Sequence, residues 1–127
     1  MPGLDTPRGP APEFVKRARE ELGLEEKIKK IIEPKLNPIE KIVYEKYVNE
    51  MHYHLVAWGK GYPDFTFRKG HKFYFIEVKT DYDKLTDTQR KVLRALREAG
   101  QKGARCEVGV ERYSKKTREL RRCDYEI

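Results

Sequence analysis

The residues with the clearest capacity for chemistry lie in two short apolar segments. Gly61-Tyr62-Pro63-Asp64-Phe65-Thr66-Phe67 carries one aspartate, and Phe73-Tyr74-Phe75-Ile76-Glu77-Val78-Lys79 carries a glutamate and a lysine two positions apart. Two carboxylates can hold a hard divalent cation through oxygen. An ammonium group beside them can stabilise charge on an attacking water or on a phosphate oxygen. Asp64, Glu77 and Lys79 are therefore the parts that a metal-dependent phosphodiesterase needs. The bare spacing is a weak signal, because Glu-x-Lys pairs are common on solvated sheet faces and Pro-Asp is a common turn dipeptide.

Strand geometry strengthens it. Side chains alternate along a strand, so Glu77 and Lys79 share one face and Val78 takes the other. A two-residue turn at Lys69-Gly70 pairs Arg68 with His71 and Asp64 with Phe75. Asp64 then shares the face of Glu77 and Lys79, diagonal to Glu77 at roughly 7–8 Å. Glycine second in the loop suits a type I′ hairpin. This register sends Phe65, Phe67, Tyr74, Ile76 and Val78 to the opposite face, as one side of a core. It leaves Thr66, Arg68, Phe73 and Phe75 on the acidic face. A one-residue slip would bury Arg68 among the aromatics.

Other residues have two readings each. Glu40 could be a third carboxylate, or it could close a capping box with Asn37. Gln89 has the same choice: a cap after Thr86, or an amide placed near a scissile phosphate. Asp81 and Asp83 follow the lysine in a loop, either solvated or backing the site. Arg90, Arg94 and Arg97 fall on one helical face beside Lys91, as a phosphate-tracking stripe or as a solvated charged face. Arg68, on the acidic face, joins them as a candidate DNA contact. Lys115, Lys116, Arg118, Arg121 and Arg122 form a second basic cluster with the same ambiguity. His52, His54 and His71 lack ligand spacing, and Trp58 reads as a packing residue.

These groups need elements to position them. Residues 13–33 have helical character, with Phe14, Ala18 and Leu22 on one face. Gly23 is expected to break this helix. Leu24, Ile28, Ile31 and Ile32 then follow on another face until Pro34. Asn37-Pro38 opens the next helix, with Ile39, Ile42, Val43, Tyr47 and Met51 at helical spacing. His52–Trp58 reads as a strand, and Gly59–Gly61 as a turn before the acidic hairpin. Thr86-Asp87-Thr88-Gln89 caps a helix whose buried stripe is Val92, Leu93 and Leu96, with Gly100 expected at its C′ position. Residues 104–112 alternate as a core strand, and the basic tail can add a short one. The pattern predicts an α/β or α+β domain with one mixed sheet.

Composition sets outer bounds. The 127 residues suffice for one domain, and the net charge of +7 suits a polyanionic partner or simple solubilisation. Mean hydropathy is −0.88. No apolar run reaches membrane-span length, and Met1–Pro12 lacks the apolar core of a signal peptide. The expectation is a cytoplasmic protein with no membrane partner, in which Cys106 and Cys123 are reduced thiols. Asparagine, glutamine, methionine and cysteine occur twice each while lysine, arginine and glutamate abound. That bias resembles proteins of hyperthermophiles.

Residues 40–112 resemble the PD-(D/E)-x-K nuclease superfamily and, within it, the virus-type replication-repair nuclease (VRR-NUC) family. The likeness is carried by Glu40 early in a helix, by Gly61-Tyr62-Pro63-Asp64 and by Ile76-Glu77-Val78-Lys79. After them, Asp83-Lys84-Leu85-Thr86-Asp87-Thr88-Gln89 runs into a helix ending Ala99-Gly100. The resemblance implies a restriction-endonuclease-like α/β core over residues 37–127, with a mixed β-sheet flanked by helices. A helical extension (13–36) and a loose arm (1–12) would precede it. It implies Mg²⁺ or Mn²⁺ held by Asp64 and Glu77, with the Val78 carbonyl and Glu40 as further ligands. Lys79 would orient or activate the attacking water, and Gln89 would support the site. The partner implied is DNA, cut to leave 5′-phosphate ends. Stand-alone relatives resemble structure-specific endonucleases, including homodimeric Holliday-junction resolvases, in replication, recombination or repair. Two other readings stand beside this one: a nuclease on ordinary duplex or single-stranded DNA, and a DNA-binding module that does not cleave. The complete Asp64/Glu77/Lys79 set argues against the last.

Overall fold

The hairpin bearing the acidic residues is the centre of the fold. The computed structural model describes residues 13–59 and 63–127. The expected arm 1–12, Gly61 and Tyr62, and the Phe14, Ala18 and Leu22 side chains lie outside the described residues. β2 (Phe65–Lys69) and β3 (Lys72–Thr80) pair antiparallel, with Phe65 opposite Ile76 and Arg68 opposite Phe73. The two-residue loop is thus Gly70-His71, not Lys69-Gly70. Only Gly70 within it has positive φ, +62°, the pattern of a type II′ turn and not of type I′. The register moves by two residues, and an even shift keeps every side chain on its face. Phe65, Phe67 and Ile76 share one face and are fully buried. Asp64, just before β2, falls opposite Glu77 instead of diagonal to it.

Five strands make one mixed sheet in the order β1-β2-β3-β4-β5. β1 (His54–Trp58) lies antiparallel on β2, β4 (Cys106–Ser114) is parallel to β3, and β5 (Glu119–Arg122) is antiparallel to β4. β1 starts two residues later than expected because His52 adopts a left-handed φ of +60°, which interrupts extended backbone. The parallel β3–β4 step requires a crossover, supplied by α3 (Asp87–Gln101). Leu93 of α3 packs with Leu85, Val108, Val110 and Ile127, flanked by Phe75 and Leu96. Phe75 pairs with Val108 and Glu77 with Val110, so this is the Glu77 face of the sheet. On the other face, α2 (Pro38–Tyr44) continues as a π-helical stretch, Glu45–Glu50. There Met51 N–H reaches back five residues to the Lys46 carbonyl at 3.0 Å. The Tyr47 ring stacks on Phe67 at 4.7 Å.

The chain divides into two compact units at Leu36/Asn37. The described part of the first is α1 (Glu13–Ile32) and one tight turn, Glu33–Lys35, holding Pro34. Gly23 does not break α1. A lone glycine costs a helix only about 1 kcal/mol relative to alanine, and nothing lies within 4 Å of where its Cβ would be. Ile32 is buried, whereas Leu24 and Ile31 are exposed.

Gly100 is also not the C′ residue. α3 runs on to Gln101, and Gly103 takes the positive φ, +110°. Gly100 is needed for a close approach instead, since a Cβ there would sit 2.6 Å from the Cys106 backbone oxygen. The two glycines should therefore respond oppositely to alanine. Gly100→Ala is expected to destabilise by roughly 1–3 kcal/mol through overpacking. Gly23→Ala is expected to stabilise α1 by roughly 0.5–1 kcal/mol. Thermal melts followed by circular dichroism check both signs.

Candidate active site

Asp64 is pinned by a backbone group of the strand it faces. Val78 N–H donates to Asp64 Oδ2 at 2.8 Å, so the side chain continues the β2–β3 pairing where the β2 backbone stops. Glu77, the preceding residue on β3, is 1% exposed. With both side chains ionised, neither Glu77 oxygen meets a side-chain donor among the described residues; protonated, the Glu77 carboxyl shares a hydrogen bond with Asp64. Burial, and then the neighbouring Asp64 carboxylate, push Glu77 up to about 8, while Lys79 pulls the other way. At neutral pH the glutamate therefore keeps its proton unless positive charge arrives. A buried carboxylate left unsatisfied costs about 1–3 kcal/mol or more. A cation beside Asp64 and Glu77 would satisfy both groups.

Lys79 shares the Glu77 face and pairs across the sheet with Arg112. The chain then turns sharply. Thr80 Oγ1 and Thr80 N–H both donate to Asp83 Oδ2, at 2.7 and 3.4 Å. Those bonds hold the Asp83 carboxyl below its usual range, with smaller help from the Lys79 and Arg112 charges. Asp81 Oδ2 accepts from Lys115 N–H at 2.8 Å. Both aspartates thus fasten the loop behind Lys79 and are not merely solvated.

The remaining candidates are placed as follows. Glu40 Oε1 accepts from Asn37 N–H at 3.0 Å, closing the capping box. Among the described residues, no group of three or more His, Cys, Asp or Glu side chains is arranged to hold a metal. Gln89 likewise caps α3, its Oε1 accepting from Thr86 N–H at 2.9 Å. Arg68 Nη1 donates to the Gly70 carbonyl at 2.8 Å. Arg90 and Arg97 donate to the C-terminal backbone at Glu126 and Ile127. Arg94 is exposed, and a cavity of about 230 Å³ is lined by Asp87, Arg90, Lys91 and Arg94.

A second buried carboxylate was not foreseen. Glu111 of β4 is 0% exposed, on the α2 face. Its Oε2 accepts from Lys46 Nζ at 2.6 Å and from Tyr47 Oη at 2.7 Å. Arg122 Nη1 donates to Tyr47 Oη at 3.2 Å and Arg122 also clasps Asp124. Gly109 allows this, for a Cβ there would meet the Arg122 guanidinium at 2.4 Å. The available signal was a glutamate embedded in the apolar Val108-Gly109-Val110 strand. Cys106 and Cys123 are free thiols, as expected.

The family model of the VRR-NUC domain matches residues 14–109. That span contains Glu40, Asp64, Glu77, Lys79 and Gln89. No curated protein matches the chain.

The buried glutamate makes a pH prediction. The folded pKa of Glu77, about 8, lies above its ordinary value of 4.5. Its contribution to stability is therefore full below the unfolded value and is lost as pH rises through about 8. In the absence of divalent cations the wild type should lose stability over that window by up to about 1.4 kcal/mol per pH unit. Glu77→Gln should flatten the slope. Chemical denaturation at a series of pH values, with EDTA present, checks it. Parallel profiles for the two proteins would contradict the assignment.

Proposed function

The chain belongs to the VRR-NUC nuclease family, and on that premise we propose that it is a divalent-metal-dependent endonuclease hydrolysing DNA phosphodiester bonds. Asp64, Glu77 and Lys79 form its catalytic centre. The observation that carries this reading is the Asp64–Glu77 pair: a fully buried carboxyl held against a second carboxylate. Such a pair fits a hard oxygen-seeking cation. Asp64 and Glu77 would hold Mg²⁺ or Mn²⁺, with the Val78 carbonyl and Glu40 as further ligands. Once bound, the ion supplies Lewis-acid stabilisation of phosphoryl charge and a more acidic water.

The chain's own groups do the rest. The Val78 N–H fixes one Asp64 oxygen and so sets where the other points. Lys79, on the same face as Glu77, offers an ammonium to a phosphate oxygen or to the attacking water. Gln89 supports the site from the first turn of α3. The Arg90/Arg94/Arg97 stripe, Arg68 and the net charge of +7 attract the DNA backbone. The finer reading is selectivity for branched DNA, Holliday junctions included, by a homodimer whose two sites would make paired nicks. It rests on the family resemblance. No helix among the described residues is long and apolar enough to cross a membrane, and the proposed location is cytoplasmic.

The test is cleavage of four-way junction, flap, duplex and single-stranded DNA with Mg²⁺, Mn²⁺ or EDTA. Wild type is expected to cut branched DNA with either metal and nothing with EDTA. Asp64→Ala and Lys79→Ala should lose at least about 10²-fold. Glu40→Gln preserves the capping geometry, so its melting temperature should hold while activity drops about tenfold through a weakened metal site. If no substrate is cut with either metal, or if Asp64→Ala cuts as well as wild type, the reading fails.

A further inference from the structure

Three residues beyond Lys79 stands Tyr82, 95% exposed, well above Tyr125 at 78% among the exposed large apolar side chains described. A lone exposed aromatic is ordinary; this one sits on a turn that is fastened on both sides of it. Thr80 bonds the Asp83 carboxylate through both its N–H and its hydroxyl, and Asp83 N–H returns a bond to the Thr80 carbonyl at 3.3 Å. The Arg112 guanidinium donates to that same carbonyl. Asp81 is held by Lys115 N–H at 2.8 Å. The backbone under the ring is thus fixed to β3, β4 and the loop before β5. No hydrogen bond or ring contact among the described residues holds the ring itself.

Its position gives the ring something to meet. Three residues of chain span at most about 10 Å, and the phosphates of one DNA strand rise about 3.4 Å per step. Tyr82 therefore lies within a few nucleotides of a phosphodiester held at Lys79. Lys84 follows the turn, the Lys115 N–H bonds to it and Lys116 comes next in the chain, all three exposed; the Asp81 and Asp83 carboxylates of the turn are bonded to its own backbone and to Lys115 N–H. Cations that track a backbone, with an aromatic face between them, are what single-stranded nucleic acid binds. A base inside an intact duplex is stacked on both faces and cannot offer one. An unpaired or splayed base can.

We infer that Tyr82 is a stacking platform for an unpaired nucleobase close to the scissile phosphodiester, and so selects DNA with a strand opening or branch at that point. The inference rests on the nuclease reading and deepens it. It makes Tyr82 a specificity-determining residue outside the metal site.

The experiment places 2-aminopurine at the branch point of a flap DNA and follows its fluorescence on titration with protein, in EDTA so that nothing is cut. Wild type, Tyr82→Phe and Tyr82→Trp should quench the probe. Tyr82→Ala should lose the quench and bind the flap about tenfold more weakly. Its affinity for blunt, fully paired duplex and its melting temperature should stay at wild-type values. Equal quenching by Tyr82→Ala and wild type overturns the inference, and so does an equal loss of affinity for flap and duplex. Cleavage is scored separately: a wild type that cuts no DNA with Mg²⁺ or Mn²⁺ defeats the nuclease reading, whereas the EDTA titration judges Tyr82 alone.

Discussion

Glu77 is held inside the domain against the Asp64 carboxylate, with no other side-chain donor among the described residues, and the surrounding architecture is what keeps it there. Its strand is paired on both sides, antiparallel to β2 and parallel to β4. Its face is covered by the Leu93 cluster under α3. Val78 N–H anchors Asp64 at 2.8 Å, beside Glu77, and that neighbouring carboxylate helps keep Glu77 protonated at neutral pH. Domains of this size have net stabilities of only about 5–15 kcal/mol, so an unsatisfied buried carboxylate is a substantial concession. A bound cation removes it, which makes the strain of the free protein and the chemistry of the loaded one two sides of a single arrangement.

The sheet carries a second buried glutamate that shows the contrast. Glu111 lies on the α2 face, where Lys46 and Tyr47 both donate to one oxygen and Arg122 extends the network to Asp124. Those partners belong to the chain, and they attach the π-helical stretch to β4 and β5. Glu77 has no such set among the described residues. Glu111 has one oxygen held by two donors and only its Oε1 unbonded among the described residues, whereas Glu77 has no side-chain donor and faces a second carboxylate. That difference, more than the Glu-x-Lys spacing, separates a structural ion pair from a metal site.

Much of this was legible in the sequence, for identifiable reasons. Both capping boxes, Asn37/Glu40 and Thr86/Gln89, depend on four consecutive residues, and capping was one of the two readings that sequence allowed for Glu40 and Gln89. The faces of β2 and β3 were sorted correctly although the turn was misplaced by one residue, because the resulting register shift was even. Long-range contacts were not legible. The Glu111 network joins residues more than 60 positions apart, and even six residues on, the 2.6 Å approach of Cys106 to Gly100 depends on how α3 meets β4. Gly23 misled because a single breaker was weighed without the rest of a 20-residue helix. For Glu40 and Gln89 the structure shows the capping role.

The central claim is that Asp64 and Glu77 together bind a divalent cation. Titration calorimetry with Mn²⁺ at pH 7, repeated in buffers of different ionisation enthalpy, tests it most directly. Saturable binding by the wild type with protons released as Glu77 ionises, and loss of that binding in Glu77→Gln and Asp64→Asn, are expected. Absence of binding in the wild type, or binding of equal affinity in Glu77→Gln, would contradict it.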